Sequence, residues 1–289
     1  MATDNANQQI KLKDERMLGY AEYGTPDGRP VFYFHGHPGS RLEWPLFDAD
    51  DCATELNARI IAVDRPGYGI SDSKGGREIL DWPDDVIELA DALQVDRFAV
   101  LGASGGGPFA AACAFKIPER LTATAIVSGM GPSEAPGAKE GMGWIYAGKS
   151  PEERRPMLTG MAHLIQENPD QLESQMKQAP FPEADKVLMD QPKISKMIVD
   201  LLFGEALRSG IDGLDQDAKL YARPWGFQLQ DITTKVHLWH GEPDINVLVS
   251  VGRYVADAIP NSQAKFFPNE GHFSLARNHI REILTVLVA

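Results

Sequence analysis

The sequence predicts a doubly wound α/β domain, a mostly parallel sheet with helices on both faces, interrupted by a helical insertion. Three observations carry that prediction. Short continuous apolar runs alternate with helical stretches, the runs end in glycine, aspartate or histidine, and the rhythm stops between residues 131 and 226. Apolar runs of four or five residues without a polar alternation suit strands buried on both faces by helices.

The runs come in order as Val31–Phe34, Arg59–Val63, Phe98–Leu101, Thr124–Val127, Val236–Trp239 and Ala264–Phe267. Between them, Pro83 opens a helix. A proline in the first turn gives up no hydrogen bond there, and Asp84 and Asp85 favour the positive end of the helix dipole. A second helix follows the glycine cluster at 102–107, with Ala110, Ala111, Ala112 and Ala114 as strong helix formers and Pro118 marking its end. A third is expected over about 247–258, and a fourth closes the chain from roughly Asn278. The stretch Gly131-Pro132-Ser133-Glu134-Ala135-Pro136-Gly137 reads as a boundary, and helix-like pieces follow at Glu152–Gln166, Asp170–Gln178 and Lys193–Leu207. The expected organisation is a core domain of 1–130 and 227–289, with 131–226 as a helical cap.

The chain has 289 residues, 43% hydrophobic and 24% charged, enough apolar matter for a large core. Its formal net charge of −13 leaves no basic excess to neutralise phosphates, which argues against nucleic acid and anionic membrane surfaces as partners. The N-terminal region stays polar through Arg16, and no segment approaches the roughly 20 apolar residues of a membrane span. A cytoplasmic location is expected. Cys52 and Cys113 fall in helical segments and are expected to be reduced, packed thiols.

The strongest chemical signal is Gly102-Ala103-Ser104-Gly105-Gly106, set after a buried strand and before a helix. A serine at such a sharp turn needs flanks nearly free of side chains, so that strand and helix can approach. The helix N-terminus points at the site, where Gly105 offers a backbone N–H. The glycines do not follow the spacing of a dinucleotide-binding turn or a P-loop. A serine hydroxyl needs a base, and among seven histidines His272 is the candidate, lying just after the last expected strand. His279 reads as a surface helix residue, His163 as an ordinary helix residue and His237 as a structural strand residue. Asp244 follows the Val236–Trp239 strand and is the first choice of acid, with Glu242 as its rival. The order Ser, Asp, His is the one this nucleophile turn brings with it. His35, His37 and His240 lack a carboxylate ligand and a rigid face, so no metal site is expected. An oxyanion site requires backbone N–H donors, and the segment His35-Gly36-His37-Pro38-Gly39 can offer one opposite Gly105.

With these residues the sequence resembles the α/β-hydrolase superfamily. Besides the Ser104 turn, the similar pieces are the 35–39 segment, Asp64-Arg65-Pro66-Gly67-Tyr68-Gly69-Ile70-Ser71, His240-Gly241-Glu242-Pro243-Asp244 and Gly271-His272. The resemblance implies an eight-stranded, mostly parallel sheet, a helical cap after the sixth strand, no cofactor, and an oxyanion hole formed by the N–H groups of His37 and Gly105. Epoxide hydrolases and haloalkane dehalogenases of similar style carry aspartate where Ser104 stands, so ester, thioester, amide, lactone or C–C hydrolysis is favoured. Val247 is followed by Leu248 rather than the proline common in the family.

Six of the nine methionines, with Trp144, Tyr146, Phe181 and Phe203, lie in the expected cap. They serve either as helix packing or as the lining of an adaptable apolar pocket. The expected partner is a small, mainly apolar acyl substrate. Arg41 is the one basic residue placed to meet an anionic group, and Glu152, Glu153, Glu167 and Glu173 are the cap carboxylates that an aminopeptidase would need for a substrate amine. A small-molecule sensor with a slow triad is the competing non-enzymatic reading.

Overall fold

The structure is a computed structural model that describes residues 5–289. Its strands are β1 (Gln8–Lys11), β2 (Met17–Gly24), β3 (Arg29–Phe34), β4 (Ala58–Val63), β5 (Phe98–Ala103), β6 (Leu121–Val127), β7 (Val236–Gly241) and β8 (Ser262–Phe267). They form one eight-stranded sheet in the order β1-β2-β4-β3-β5-β6-β7-β8. β2 runs antiparallel to both of its neighbours, and β4 through β8 pair in parallel.

Helices α1 (Asp50–Glu55), α2 (Trp82–Ala92) and α3 (Gly107–Lys116) precede the insertion. The insertion carries α4 (Pro151–Glu167), α5 (Pro169–Lys177), α6 (Glu183–Met189), α7 (Pro192–Met197) and α8 (Asp212–Tyr221). α9 (Val249–Ala258) and α10 (His272–Leu287) complete the fold.

Strand periodicity decides which helices meet which face. Phe32, Phe34, Phe98 and Val100 pack with Val86, Leu89 and Ala90 of α2, with the alanines of α3 and with Val251 and Val255 of α9. Val31, Tyr33, Ala99 and Leu101 point the other way, onto Cys52 and Ala53 of α1 and onto Leu275, Ile280, Ile283, Leu284 and Leu287 of α10. Both faces are therefore apolar, as the uninterrupted runs required. Two smaller clusters lie outside this sandwich. One joins Leu158, Ala162, Leu172 and Leu214 of the insertion to Tyr68 of the core, and the other joins Phe181, Leu188, Met189 and Ile198 to Leu46. Cys52 and Cys113 are unpaired and buried. Among the described residues, no helix is long and apolar enough to cross a membrane.

The structure corrects several boundaries. β1 lies in the polar start and β2 follows directly after it, and neither was located from sequence. β1 alternates half-buried and exposed residues at a sheet edge, so it lacks the continuous apolar signature. Lys193–Leu207 is not one regular helix, because α7 passes into a π-helical segment, Ile198–Gly204. α6 and α8 were not anticipated. α10 begins at His272, six residues before the expected Asn278.

Candidate active site

Ser104 follows β5 directly and opens a single 3-10 turn, Ser104–Gly106, that leads into α3. Its φ of 51° lies in the left-handed region, an uncommon conformation for a residue with a side chain and one that a well-packed surround must enforce. The flanking glycines permit it. A Cβ on Gly102 would strike the Gly106 carbonyl and the Ala110 side chain, and one on Gly106 would strike the Phe34 carbonyl.

Three residues far apart in sequence meet at the C-terminal edge of the sheet. His272 Nε2 stands 3.0 Å from Ser104 Oγ, and His272 Nδ1 stands 2.7 Å from Asp244 Oδ2. A carboxylate only accepts, so Nδ1 carries the proton and Nε2 presents its lone pair to the serine hydroxyl. Asp244 is 2% exposed, and its other oxygen accepts the backbone N–H groups of Asn246 at 2.8 Å and Val247 at 3.0 Å. Burial works to raise the Asp244 carboxyl, but the charge and hydrogen bond of His272 outweigh it and hold the group below its ordinary value. For His272 burial works downward, and Asp244, then Asp185 and Glu43, lift the imidazole above the ordinary histidine value. Glu242, the rival acid, turns outward to Arg253 at 2.6 Å.

The loop after β3 lies beside the serine. The His37 backbone nitrogen is 3.1 Å from the point that a Cβ on Gly105 would occupy. Arg65 shapes this loop by donating to the carbonyls of His35 and Gly36. The His37 ring is buried, and its Nδ1 lies 3.0 Å from the Tyr68 hydroxyl, which donates to Asp217 at 2.9 Å. Burial, reinforced by Arg65, Arg77 and Arg154 against the pull of Asp217, lowers the His37 ring to about 4, so it is neutral near pH 7. His35 and His240 are committed to backbone partners, Arg65 N and Gly36 O for the first and Val247 O for the second. Among the described residues, no group of three His, Cys, Asp or Glu gathers with metal-ligand spacing.

A cavity of about 340 Å³ opens over Ser104, His37 and His272. The insertion contributes Met142, Tyr146, Met176, Phe181 and Phe203 to its wall, so only two of the six methionines face it. Met189 instead packs within the insertion. No Lys or Arg is part of the lining among the described residues. Arg41 corrects its expectation: it is wholly buried and bound to Asp64 at 2.9 Å and Glu205 at 2.6 Å, away from the cavity. Glu152, Glu153, Glu167 and Glu173 also lie elsewhere, with Glu173 held by Lys177 and Ser195. The carboxyl that does face the cavity is Glu43, which accepts the Gly36 N–H at 2.8 Å and which burial pushes up to about 7. His279 is half-buried rather than exposed, its ring against Phe267 and its Nε2 3.2 Å from Glu270.

Four neighbours of this site had no local signal in the sequence. They are Glu43, Asp185, Asp217 and Tyr221, whose hydroxyl donates to the Gly105 carbonyl at 2.9 Å. Three of the four come from the insertion helices α6 and α8.

Comparison with known proteins places the chain in a family. The chain aligns with a dihydrolipoyllysine-residue acetyltransferase component of an acetoin cleaving system from Pseudomonas putida at 31% identity, over 46% of this chain and 35% of that protein. It aligns with a non-heme chloroperoxidase from Streptomyces lividans at 32%, over 43% of this chain and 45% of that protein, so it spans less than half the length of either relative. A 2-hydroxymuconate semialdehyde hydrolase from Pseudomonas putida is 24% identical over 86% of this chain and 82% of that protein. Among solved structures, a hydrolase from Pseudomonas aeruginosa superposes with a TM-score of 0.72 at 20% identity, covering 100% of both chains. An esterase from Exiguobacterium antarcticum gives 0.66 at 18%, covering 98% of this chain and 99% of that one. At such identities these superpositions concern the fold alone. Residues 31–283 match the family described as "Alpha/beta hydrolase family", and the chain belongs to it.

Proposed function

We propose that this chain is a cofactor-independent serine hydrolase that cleaves a small, mainly apolar carboxylic ester by acyl transfer. The observation that carries the reading is the hydrogen-bonded line from Ser104 Oγ through His272 to Asp244, at 3.0 and 2.7 Å, beneath a largely apolar cavity. In the proposed reaction Ser104 Oγ attacks the ester carbonyl while His272 Nε2 takes the hydroxyl proton. The Asp244 carboxylate stabilises the imidazolium without taking that proton. The N–H groups of His37 and Gly105 receive the oxyanion of the tetrahedral intermediate. His272 then protonates the departing alcohol, and a water activated by the same imidazole releases the acid and restores Ser104. Residues 131–226 act as the cap that supplies the apolar wall. The two unpaired thiols support a reducing, cytoplasmic setting.

A second reading, C–C bond hydrolysis by the same residues, is favoured by the match along most of the chain to the semialdehyde hydrolase. Among the described residues no Lys or Arg lines the cavity, which speaks against a strongly anionic substrate for this chain.

Fluorophosphonate labelling tests the proposal. The expected result is one modified serine, lost in Ser104→Ala, together with turnover of p-nitrophenyl acetate or butyrate. A panel adding lactones, an aryl-diketone C–C substrate and a prolyl amide separates the bond types. Protein that neither labels nor turns over any of these substrates would overturn the serine mechanism.

A further inference from the structure

α10 starts at His272, so the N–H groups of residues 272–274 have no partner within the helix. The residue before it, Gly271, has no side chain to cap them. The Ser274 hydroxyl is spent on the Gly271 N–H at 2.8 Å. The cap arrives instead from the insertion. Asp185 Oδ2 accepts the His272 N–H at 2.8 Å, and Oδ1 accepts those of Phe273 at 3.1 Å and Ser274 at 2.9 Å. Asp185 is wholly buried, and no ion pair joins it among the described residues. Gly271 is what permits the approach, because a Cβ there would collide with the Asp185 carboxylate. Beside this contact the Phe181 and Phe273 rings meet edge to face at 5.8 Å.

We propose that Asp185 is a positioning residue for His272, capping α10 from the insertion so that the imidazole reaches Ser104 only while α6 is seated. The proposal rests on the serine-hydrolase reading above. Its physical basis is twofold. Three charge-assisted hydrogen bonds fix the backbone of the residue whose side chain must bridge Asp244 and Ser104. The carboxylate also offsets the positive helix terminus, which would otherwise oppose an imidazolium forming on the first residue of α10. The charged and titratable groups facing that imidazole are Asp244 and His240 beyond and at the end of β7, Glu43 after β3, and Asp185 on α6. Loss of the Asp185 charge lowers the His272 midpoint, since that charge is one of those raising it.

The experiment compares Asp185→Ala and Asp185→Asn with the parent protein, using p-nitrophenyl butyrate kinetics across pH. In Asp185→Ala, kcat falls by about tenfold to a hundredfold with KM little changed, the signature of a displaced catalytic group rather than a lost substrate contact. Asp185→Asn keeps an acceptor oxygen and recovers part of kcat, while the acidic limb of the profile moves to lower pH in both variants. Parental kcat and limb in folded Asp185→Ala, or a loss confined to Tm, would overturn the proposal. Should the parent protein show neither turnover nor labelling, the serine-hydrolase reading fails. The His272 ring titration by NMR, assigned with His272→Gln, still decides this one. A lower midpoint in Asp185→Asn supports the cap, and an unchanged midpoint rejects it.

Discussion

Two buried carboxylates of the insertion flank the candidate site, and they are held in opposite ways. Asp217 of α8 lies beneath the β3 loop among cations: Arg65 donates to it at 2.8 Å, Arg77 pairs with its other oxygen, and the Tyr68 hydroxyl completes the shell. Those guanidiniums overcome the cost of burial and hold the carboxyl far below its usual range. Asp185 of α6, at the opposite wall, is satisfied by three backbone N–H groups. The difference teaches that one edge of the insertion is clamped by formal charges on both partners, whereas the other combines backbone hydrogen bonds to Asp185 with apolar packing of Phe181, Leu188 and Met189. Asp217 is thus an anchor held by charge, and Asp185 a contact held by backbone hydrogen bonds.

The largest expected effect follows directly. Asp217→Ala leaves Arg65 and Arg77 buried without a counter-charge and is expected to cost about 3–5 kcal/mol in urea unfolding. Asp185→Ala removes a helix cap whose usual worth is about 0.5–2 kcal/mol. The sign of the pH dependence sharpens the contrast. Because the folded Asp217 is depressed, its contribution is complete above the unfolded carboxylate value of about 3.9 and is lost as pH falls below it towards the folded value. The stability gap between the parent and Asp217→Ala should therefore be flat near neutrality and close only in acid. Equal costs for the two variants would erase the distinction between anchor and contact.

The same two carboxylates mark where sequence reasoning stopped. Five of the six apolar runs became the buried strands β3 through β7, because their burial depends on neighbours that any doubly wound sheet supplies. The sixth became the edge strand β8, whose residues are half-buried or exposed rather than covered on both faces. Ser104, Asp244 and His272 stood out because each follows a strand end, a position visible locally. The start of α10 was missed because its cap lies 87 residues away on α6, and Gly271, rather than Ser, Thr, Asp or Asn, stands directly before His272. Asp217 and Tyr221 were missed with α8 itself. There the polar residues Asp215 and Asp217 are buried against arginines, which breaks the apolar periodicity that would reveal a helix. Arg41 was misread for a related reason, since a buried arginine and a substrate-facing one look alike until their carboxylates are placed. Long-range electrostatics, not propensity, decided all of these.

Activity against pH probes the contact side of the comparison with an intermediate effect. In the proposed mechanism turnover requires neutral His272, so it should rise with pH through a midpoint above the ordinary histidine value of about 6.5. Glu43 belongs to the same environment and, pushed up to about 7, gains its charge over the same range. Glu43→Gln removes one of the charges that raise His272, so the acidic limb should move to lower pH. A rate profile in p-nitrophenyl butyrate hydrolysis that is flat through weakly acidic pH would contradict the role of His272 as base.

The smallest effect should come from Tyr221→Phe, on the anchored side. The change deletes the hydroxyl that donates to the Gly105 carbonyl at 2.9 Å and stands 3.4 Å from Asp217, while the ring still packs edge-on against His37 at 5.0 Å and Phe109 at 6.3 Å. That carbonyl belongs to the peptide between Gly105 and Gly106, whereas the N–H proposed to receive the oxyanion belongs to the peptide before it. The hydroxyl therefore steadies the turn without touching the reacting atoms. Its loss should cost about 0.5–1.5 kcal/mol of stability and leave fluorophosphonate labelling of Ser104 near the parental rate. If Tyr221→Phe instead slowed labelling as much as Asp185→Ala, the anchored wall would be coupled to the chemistry as closely as the wall that carries Asp185. The asymmetry between the two carboxylates would then be one of strength alone.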